Sequence, residues 1–375
     1  IFCKRLGALV AVGEHIASSG KAASGQAYRG VFGHASFAAL RLHDFVGVLR
    51  LSFASVALAC LSFGSAHAQS VRPSIASNAL PSGASVNTGS VLVSSSGAQM
   101  AITQVSDKAS INWNNFNIGS GASVNVAQPS SNSVLLNRVV GQDPSQIFGK
   151  LTANGQVILI NPNGVVFGKG GSVTASAFTA STFGMTDADF QAGKHQFSRN
   201  GSTAGVTVEQ GATINTTAPG GYVALLGASV NNQGEIHTHK GAVVMAAGES
   251  VALPTALTDS VGVPLSNKVR LELAPSTLMN ASVENGGTIT TEGGQVLMQA
   301  AAVADAVASV IHTGTIDTTG VQGGAITLLA DHGDIKVNGH ITANSTDTTN
   351  KGGDIIIGRD EVTHVLAAST DVSNA

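Results

Sequence analysis

The sequence predicts an all-β chain wound into a right-handed single-stranded parallel β-helix, a solenoid with an amino-terminal cap and small elements outside the coil. Three observations predict it. Five segments after Gly201 share one grammar: a glycine, an Ile-centred strand, a polar turn, one or two glycines, then a Val/Ile-rich strand. They are centred on Ile214, Ile236, Ile289, Ile316 and Ile341, which lie 22, 53, 27 and 25 residues apart. A period of 20 to 30 residues with two short strands per unit is the signature of a β-solenoid. Composition is the second observation. The chain has 45 glycines in 375 residues, with only 4% aromatic and 11% charged residues, which suits a narrow stacked core better than a wide globular one. The third is the tetrad Asn161-Pro162-Asn163-Gly164 between the apolar runs Val157–Ile160 and Val165–Phe167. Pro162 holds one φ and biases Asn161 toward extended backbone, while Asn163-Gly164 suits a left-handed turn. A strand that bends sharply and continues is how one coil turns, and a hairpin is the alternative.

Composition also excludes classes. An apolar content of 43% is too high for disorder. A net charge of −3 leaves no nucleic-acid footprint. Residues 41–68 read as an export signal. Arg41 and Arg50 supply charge, Leu51–Phe63 is the apolar core, and Ala66 and Ala68 place small residues at −3 and −1 of a cleavage site before Gln69. That apolar run is too short for a membrane span. Cys3 and Cys60 both precede the cut, so the mature chain contains no cysteine and cannot be trapped by a disulfide in an oxidising compartment. The first residue is Ile, so the chain is expected to be a piece of a longer one.

From Gln69 onward, short runs at Val91–Val93, Met100–Ile102 and Ile111 are bounded by turn residues, and residues 70–110 are expected to cap the first coil. Thr179–Phe197 breaks the rhythm. Thr186-Asp-Ala-Asp189 resembles a capping box, with Phe190 and Phe197 as apolar anchors, and predicts a short helix outside the coil. The 53-residue gap holds Pro254, Pro264 and Pro275 and reads as two periods, or as one period plus an insertion of loops or a hairpin at 249–285.

No residues assemble a catalytic site, and no cofactor is called for. His237-x-His239 would place two imidazoles on one strand face, half of a zinc site. No third ligand stands at a recognisable spacing, so a solvated face is the expected role and no metal is assigned. Asp331, Asp334, Asp354 and Asp360 read as turn aspartates, because the calcium-binding nonapeptide repeat is missing.

Two motifs carry a resemblance. Asn161-Pro162-Asn163-Gly164 followed by a hydrophobic residue and Phe167-Gly168, with Ile111-Asn-Trp-Asn-Asn-Phe-Asn-Ile-Gly119 upstream, resembles the two-partner secretion (TPS) domain of filamentous haemagglutinin-like exoproteins. Val165 stands where Ile is usual in the family. The resemblance covers roughly residues 70 to 250 closely. It implies residues 1–40 as an extended signal-peptide region, 41–68 as a Sec signal peptide, 69–330 as the secretion domain, and 331–375 as the start of a β-helical passenger shaft. It implies handling by the Sec translocon and signal peptidase, passage through the periplasm of a Gram-negative bacterium, and display at the cell surface or release. The partner it implies is an outer-membrane β-barrel transporter with periplasmic recognition domains. Asn161, Pro162, Asn163 and Gly164 would serve recognition, as would, more weakly, Asn112, Trp113, Asn115, Phe116 and Asn117. The same asparagines can equally pair backbone groups at coil corners. A missing passenger would act in adhesion, meeting a host-cell receptor or glycan. A contact-dependent inhibition toxin, a cytolysin, or a β-helix polysaccharide lyase are the other classes weighed.

Overall fold

The computed structural model describes residues 2–3, 8–9, 74–253, 272–275, 280–303, 307–358 and 364–365. The expectations for the export signal and for cleavage at Ala66, Ala68 and Gln69 fall outside these residues, as does the extended signal region apart from Phe2–Cys3 and Ala8–Leu9. Of the amino-terminal unit, Ile1–Arg72, the described part is a two-residue antiparallel pair, Phe2–Cys3 with Ala8–Leu9.

The second unit, Pro73–Ala375, is a parallel β-helix of three sheets. The chain runs through the first sheet, then the second, then the third, and returns to the first one coil further on. One coil reads Lys150–Ala153, Gln156–Ile160 and Val165–Phe167; the next opens on Ser172–Ala175. Each strand pairs in parallel with its counterpart in the coils before and after, as Lys150 does with Ser123 and with Ser172. The corner at Asn161 is therefore a turn between two sheets, not a hairpin. Three strands make each coil where the repeat showed two. The third sheet is built from strands such as Val206–Val208, Ser229–Asn232 and Gly333–Val337. The apolar run from Ile147 to Leu151 also divides: Ser145–Ile147 belongs to the third sheet and Lys150–Ala153 to the first, with Gly149 at the corner.

Val and Ile at alternate positions point into one continuous core that runs from Met100 to Ala343. Strands repeating every 20 to 27 residues put like residues on top of one another, so Ile214, Ile236, Ile289, Ile316 and Ile341 form one stack. The cap is antiparallel, as the open end of a solenoid requires. Ser85–Thr88 closes the second sheet against Lys108–Trp113, and Val91–Ser96 closes the first against Gln99–Gln104. These strands cover edges that would otherwise template pairing with another chain.

Two insertions leave at one corner, between the second and third sheets. The first, after Ser181, carries helix α1 (Asp187–Gln191), N-capped by Thr186, whose hydroxyl accepts from the Asp189 N–H at 3.1 Å. The break expected at Thr179 thus begins later, since Ala177–Ser181 still pairs in the second sheet. The second insertion follows Ala247. Ile236 pairs directly with Ile289, so the 53-residue gap is one period plus an insertion, and the coil resumes at Asn280. Because both insertions exit at one corner, their strands meet: Gln196–Ser198, Ser250–Ala252 and Glu272–Ala274 form an antiparallel sheet. Phe183, Met185, Phe190, Phe197, Val251 and Leu253 then cover the outer face of the second sheet at Leu136, Ile158, Ile160, Leu226 and Val244. Burial on both faces is why those strands read as unbroken apolar runs.

One polar file runs inside the core. Asn232, Asn285 and His312 occupy the same register in successive coils and are fully buried. Asn232 donates to Asn285 Oδ1 at 2.7 Å, and Asn285 Nδ2 meets His312 Nδ1 at 3.2 Å. Burial holds the His312 pKa below its ordinary value of 6.5. Burial, then the charge of Lys108, does the same at His195. An imidazole with a lowered folded pKa leaves stability intact at neutral pH. Stability is lost as the pH falls below 6.5, because the unfolded chain binds the proton first. The urea midpoint is expected to drop between pH 7.5 and 5.0. His312→Asn, which continues the file without a titrating group, should make that drop smaller; an equal drop would contradict the assignment.

Candidate functional site

The tetrad Asn161–Gly164 joins Gln156–Ile160 of the second sheet to Val165–Phe167 of the third. Asn161 has no exposed surface. Its Nδ2 donates to the Asp143 carbonyl at 2.9 Å and to Ser145 Oγ at 3.0 Å, in the coil before. Its Oδ1 accepts from the Asn163 N–H at 3.0 Å and from Asn163 Nδ2 at 3.2 Å. Its own N–H donates to the Ser181 carbonyl at 2.9 Å, in the coil after. One side chain thus closes the turn and ties it back one coil, while its backbone ties it forward. Pro162 and Asn163 are exposed. Asn163 Nδ2 still reaches the Gly141 carbonyl at 2.9 Å, and the Pro162 carbonyl accepts from Ser202 Oγ at 2.6 Å. Gly164 has φ +119°, a conformation that other residues rarely adopt, and its N–H closes the turn on the Asn161 carbonyl at 3.1 Å.

The second signature turns the same corner two coils earlier. Trp113 and Phe116 are buried edge to face, 5.5 Å between centroids at 84°. Trp113 Nε1 donates to Asn137 Oδ1 at 3.0 Å, so the indole is held by a buried side chain of the strand stacked on it in the next coil, Val134–Val139. Asn117 Oδ1 accepts from the Gln146 N–H at 2.8 Å, and Asn115 Nδ2 donates to Ser82 Oγ at 2.6 Å in the cap. Asn112 is half-buried and accepts from Arg138 Nη1 at 3.4 Å. The segment Asn137–Gly149 lies between the two motifs and is gripped from both sides: by Trp113 and Asn117 on the cap side, by Asn161 and Asn163 on the other. The structure brings all nine predicted residues onto one edge of the solenoid, the edge from which the insertions leave.

Arg138 is the part that sequence reading missed. Its Nη2 donates to the Met185 carbonyl at 2.9 Å and to Asp187 Oδ1 at 3.0 Å. Asn87 of the cap donates to Asp187 Oδ2 at 2.9 Å. The Asn87 hydrogen bond, then Arg138, outweigh burial and lower the Asp187 pKa. Lys108 Nζ donates to the Gln191 carbonyl at 2.8 Å, and Gln191 Nε2 to Thr88 Oγ1 at 3.0 Å. The insertion of the fourth coil therefore reaches back across the outer face and latches the cap strand. In a chain that is 11% charged, an arginine beside a signature motif was the available signal. Arg138→Ala is expected to cost about 1 kcal/mol, since Asp187 is half exposed and the pair is screened. Hydrogen exchange should quicken in α1 and in Ser85–Thr88 together; quickening in α1 alone would mean that the two are not linked.

Comparison with known proteins agrees with this fold. The family model of the TPS secretion domain matches residues 77–274, more than half of the chain. A heme/hemopexin-binding protein of Haemophilus influenzae strain Rd is 34% identical over 216 residues, covering 56% of this chain and 23% of that protein. A second heme/hemopexin-binding protein of H. influenzae is 43% identical over 101 residues, 27% of this chain and 11% of its own length. This chain thus spans about a quarter, or less, of the length of these relatives. The crystal structure of the HMW1 secretion domain from H. influenzae superposes with a TM-score of 0.67 at 27% identity, covering 78% of this chain and 74% of that one.

Proposed function

The chain belongs to the TPS secretion domain family, and we propose that its residues 69–330 are the export module of a larger Gram-negative exoprotein. The Sec translocon delivers the chain, signal peptidase cuts after Ala68, and an outer-membrane β-barrel transporter with periplasmic domains engages the unfolded chain. Residues 331–375 begin the shaft of the passenger. The observation that supports this reading best is the state of the signature residues after folding. Asn161 has every amide group bonded within the fold, and Trp113 and Phe116 are buried. A partner that reads Asn161, Pro162, Asn163 and Gly164, or Asn112, Trp113, Asn115, Phe116 and Asn117, does so before the coils close. Folding then withdraws Asn161, Gly164, Trp113 and Phe116 from the partner, and each closed coil offers an edge to the next. Coil stacking outside the cell biases export without a nucleotide.

The experiment is transporter dependence. Expressed with its signal and with the cognate transporter, the chain is expected in the medium; without the transporter it is expected in the periplasm. Equal release in both would remove the proposal. The whole protein is proposed to be a surface adhesin. A second reading, binding of haem or hemopexin, is favoured by the two H. influenzae relatives, and pull-down of the full-length protein on haem-agarose separates it from the first.

A further inference from the structure

We propose that Asn200 is a self-modification site: in the folded chain its side-chain amide converts spontaneously to a carboxylate, with Gly201 as the attacking group. The sequence holds five Asn-Gly pairs, at Asn154, Asn163, Asn200, Asn285 and Asn338. Glycine leaves its own backbone nitrogen unshielded, so every pair is open to this chemistry in the unfolded chain. The Gly nitrogen bonds to the Asn Cγ, and the Cγ–Nδ2 bond breaks. The departing nitrogen takes up the Gly proton and leaves as ammonia. Water then opens the five-membered imide, giving aspartate when it cuts at Cγ and isoaspartate when it cuts at the main-chain carbonyl. Water is the only co-reactant.

The fold sorts the five pairs. The Gly155 N–H donates to Gln128 Oε1 at 3.0 Å, and the Asn154 amide is paired at both atoms with the Gln128 backbone. The Gly164 N–H donates to the Asn161 carbonyl at 3.1 Å, and Asn163 Nδ2 to the Gly141 carbonyl at 2.9 Å. The Gly286 N–H donates to the Asn232 carbonyl at 2.8 Å, and Asn285 is fully buried. The Gly339 N–H donates to the His312 carbonyl at 3.1 Å. In all four the attacking nitrogen is held. Asn200 and Gly201 are instead the exposed central residues of a turn, with φ 50° and 83°, closed by the Ser202 N–H on the Arg199 carbonyl at 3.0 Å. Among the described residues nothing hydrogen-bonds the Asn200 side-chain amide or the Gly201 N–H. Open space surrounds the position that a Gly201 Cβ would take.

Both ends of the turn are anchored. Arg199 is buried, its N–H donates to the Glu249 carbonyl at 2.8 Å, and its Nε donates to Glu249 Oε2 at 2.9 Å. Ser202 is buried too, and its Oγ donates to the Pro162 carbonyl at 2.6 Å. The first insertion is thus joined to the second on one side of Asn200 and to the tetrad on the other. Isoaspartate adds one carbon to the main chain between these fixed ends, so conversion loosens the joint in protein that has already folded.

The test incubates the purified folded chain in mildly alkaline buffer and follows its peptides by mass spectrometry. The amide-to-acid mass gain is expected in the Asn200 peptide, as two separable products. It should appear about tenfold faster there than at the other four pairs, each of which must first break a hydrogen bond. In urea all five should convert at similar rates. The wild-type thermal midpoint should fall as conversion proceeds, while that of Asn200→Gly, which suits the left-handed backbone, should hold. An Asn200 peptide that converts no faster than the other four in the folded chain would overturn the proposal. So would midpoints that change alike in the wild type and Asn200→Gly. Neither result bears on export, because transporter dependence is measured in cells and this chemistry in the purified chain.

Discussion

Gly241→Ala is expected to be among the most damaging single methyl additions at the described residues. Gly221, Gly241, Gly294, Gly324 and Gly353 form a column at the entrance to the second sheet. A Cβ on each of the last four would overlap the carbonyl oxygen of the glycine before it. Backbone lies against backbone there, so no rotamer can absorb the clash. The coils must separate by a sizeable fraction of their spacing of about 4.8 Å, breaking ladder hydrogen bonds on both sides. The expected cost is about 3 kcal/mol or more, at the upper end for overpacking. Gly170→Asn makes the contrast. Gly170 has φ +84° with open space around it, and asparagine tolerates that conformation, so the cost should stay below about 1 kcal/mol. Thermal midpoints of the two variants measure the difference. A Gly241→Ala protein as stable as Gly170→Asn would mean that the coils are looser than the stacking requires.

Asn161→Ala should be nearly as costly, for a different reason. It fills no space and removes no apolar contact, but it leaves the Asp143 carbonyl, Ser145 Oγ and the Asn163 N–H without their partner. At a buried site each such group costs roughly 1–3 kcal/mol, and partial repair by water brings the expected total to about 3 kcal/mol. Asn163→Ala should cost about 1 kcal/mol, because Asn163 is exposed and water can replace its bond to Gly141. Urea unfolding of the two single variants gives both numbers. Equal losses would contradict the division of labour within the tetrad.

Two of the three sheets were legible because their residues repeat. The Ile stack from Ile214 to Ile341 and the runs Val243–Met245 and Val296–Met298 announce themselves at fixed offsets from glycines. The third sheet did not, for a physical reason. Its buried file holds Asn232, Asn285 and His312, which look like loop residues until stacking pairs them. Gly149 hid a corner inside what read as one apolar run. The candidate site divides in the same way. Asn-Pro-Asn-Gly is turn chemistry, visible without a fold. What it grips is invisible, because Gly141 and Asp143 take part through backbone carbonyls that any residue could offer. The Arg138–Asp187–Asn87 latch joins elements 49 and 100 residues apart, and no local pattern encodes that pairing.

The secretion domain reading makes the tetrad both the clasp of a coil and the sequence through which the unfolded chain is engaged. The most direct measurement is the ratio of protein in the medium to protein in the periplasm for Asn161→Ala/Asn163→Ala, expressed with the transporter. Gly241→Ala, which destabilises the coils as much without touching the tetrad, is the control. Retention of the double variant in the periplasm well beyond any retention of Gly241→Ala is the expected result. Normal release of the double variant, or equal retention of both, would contradict a recognition role for these asparagines.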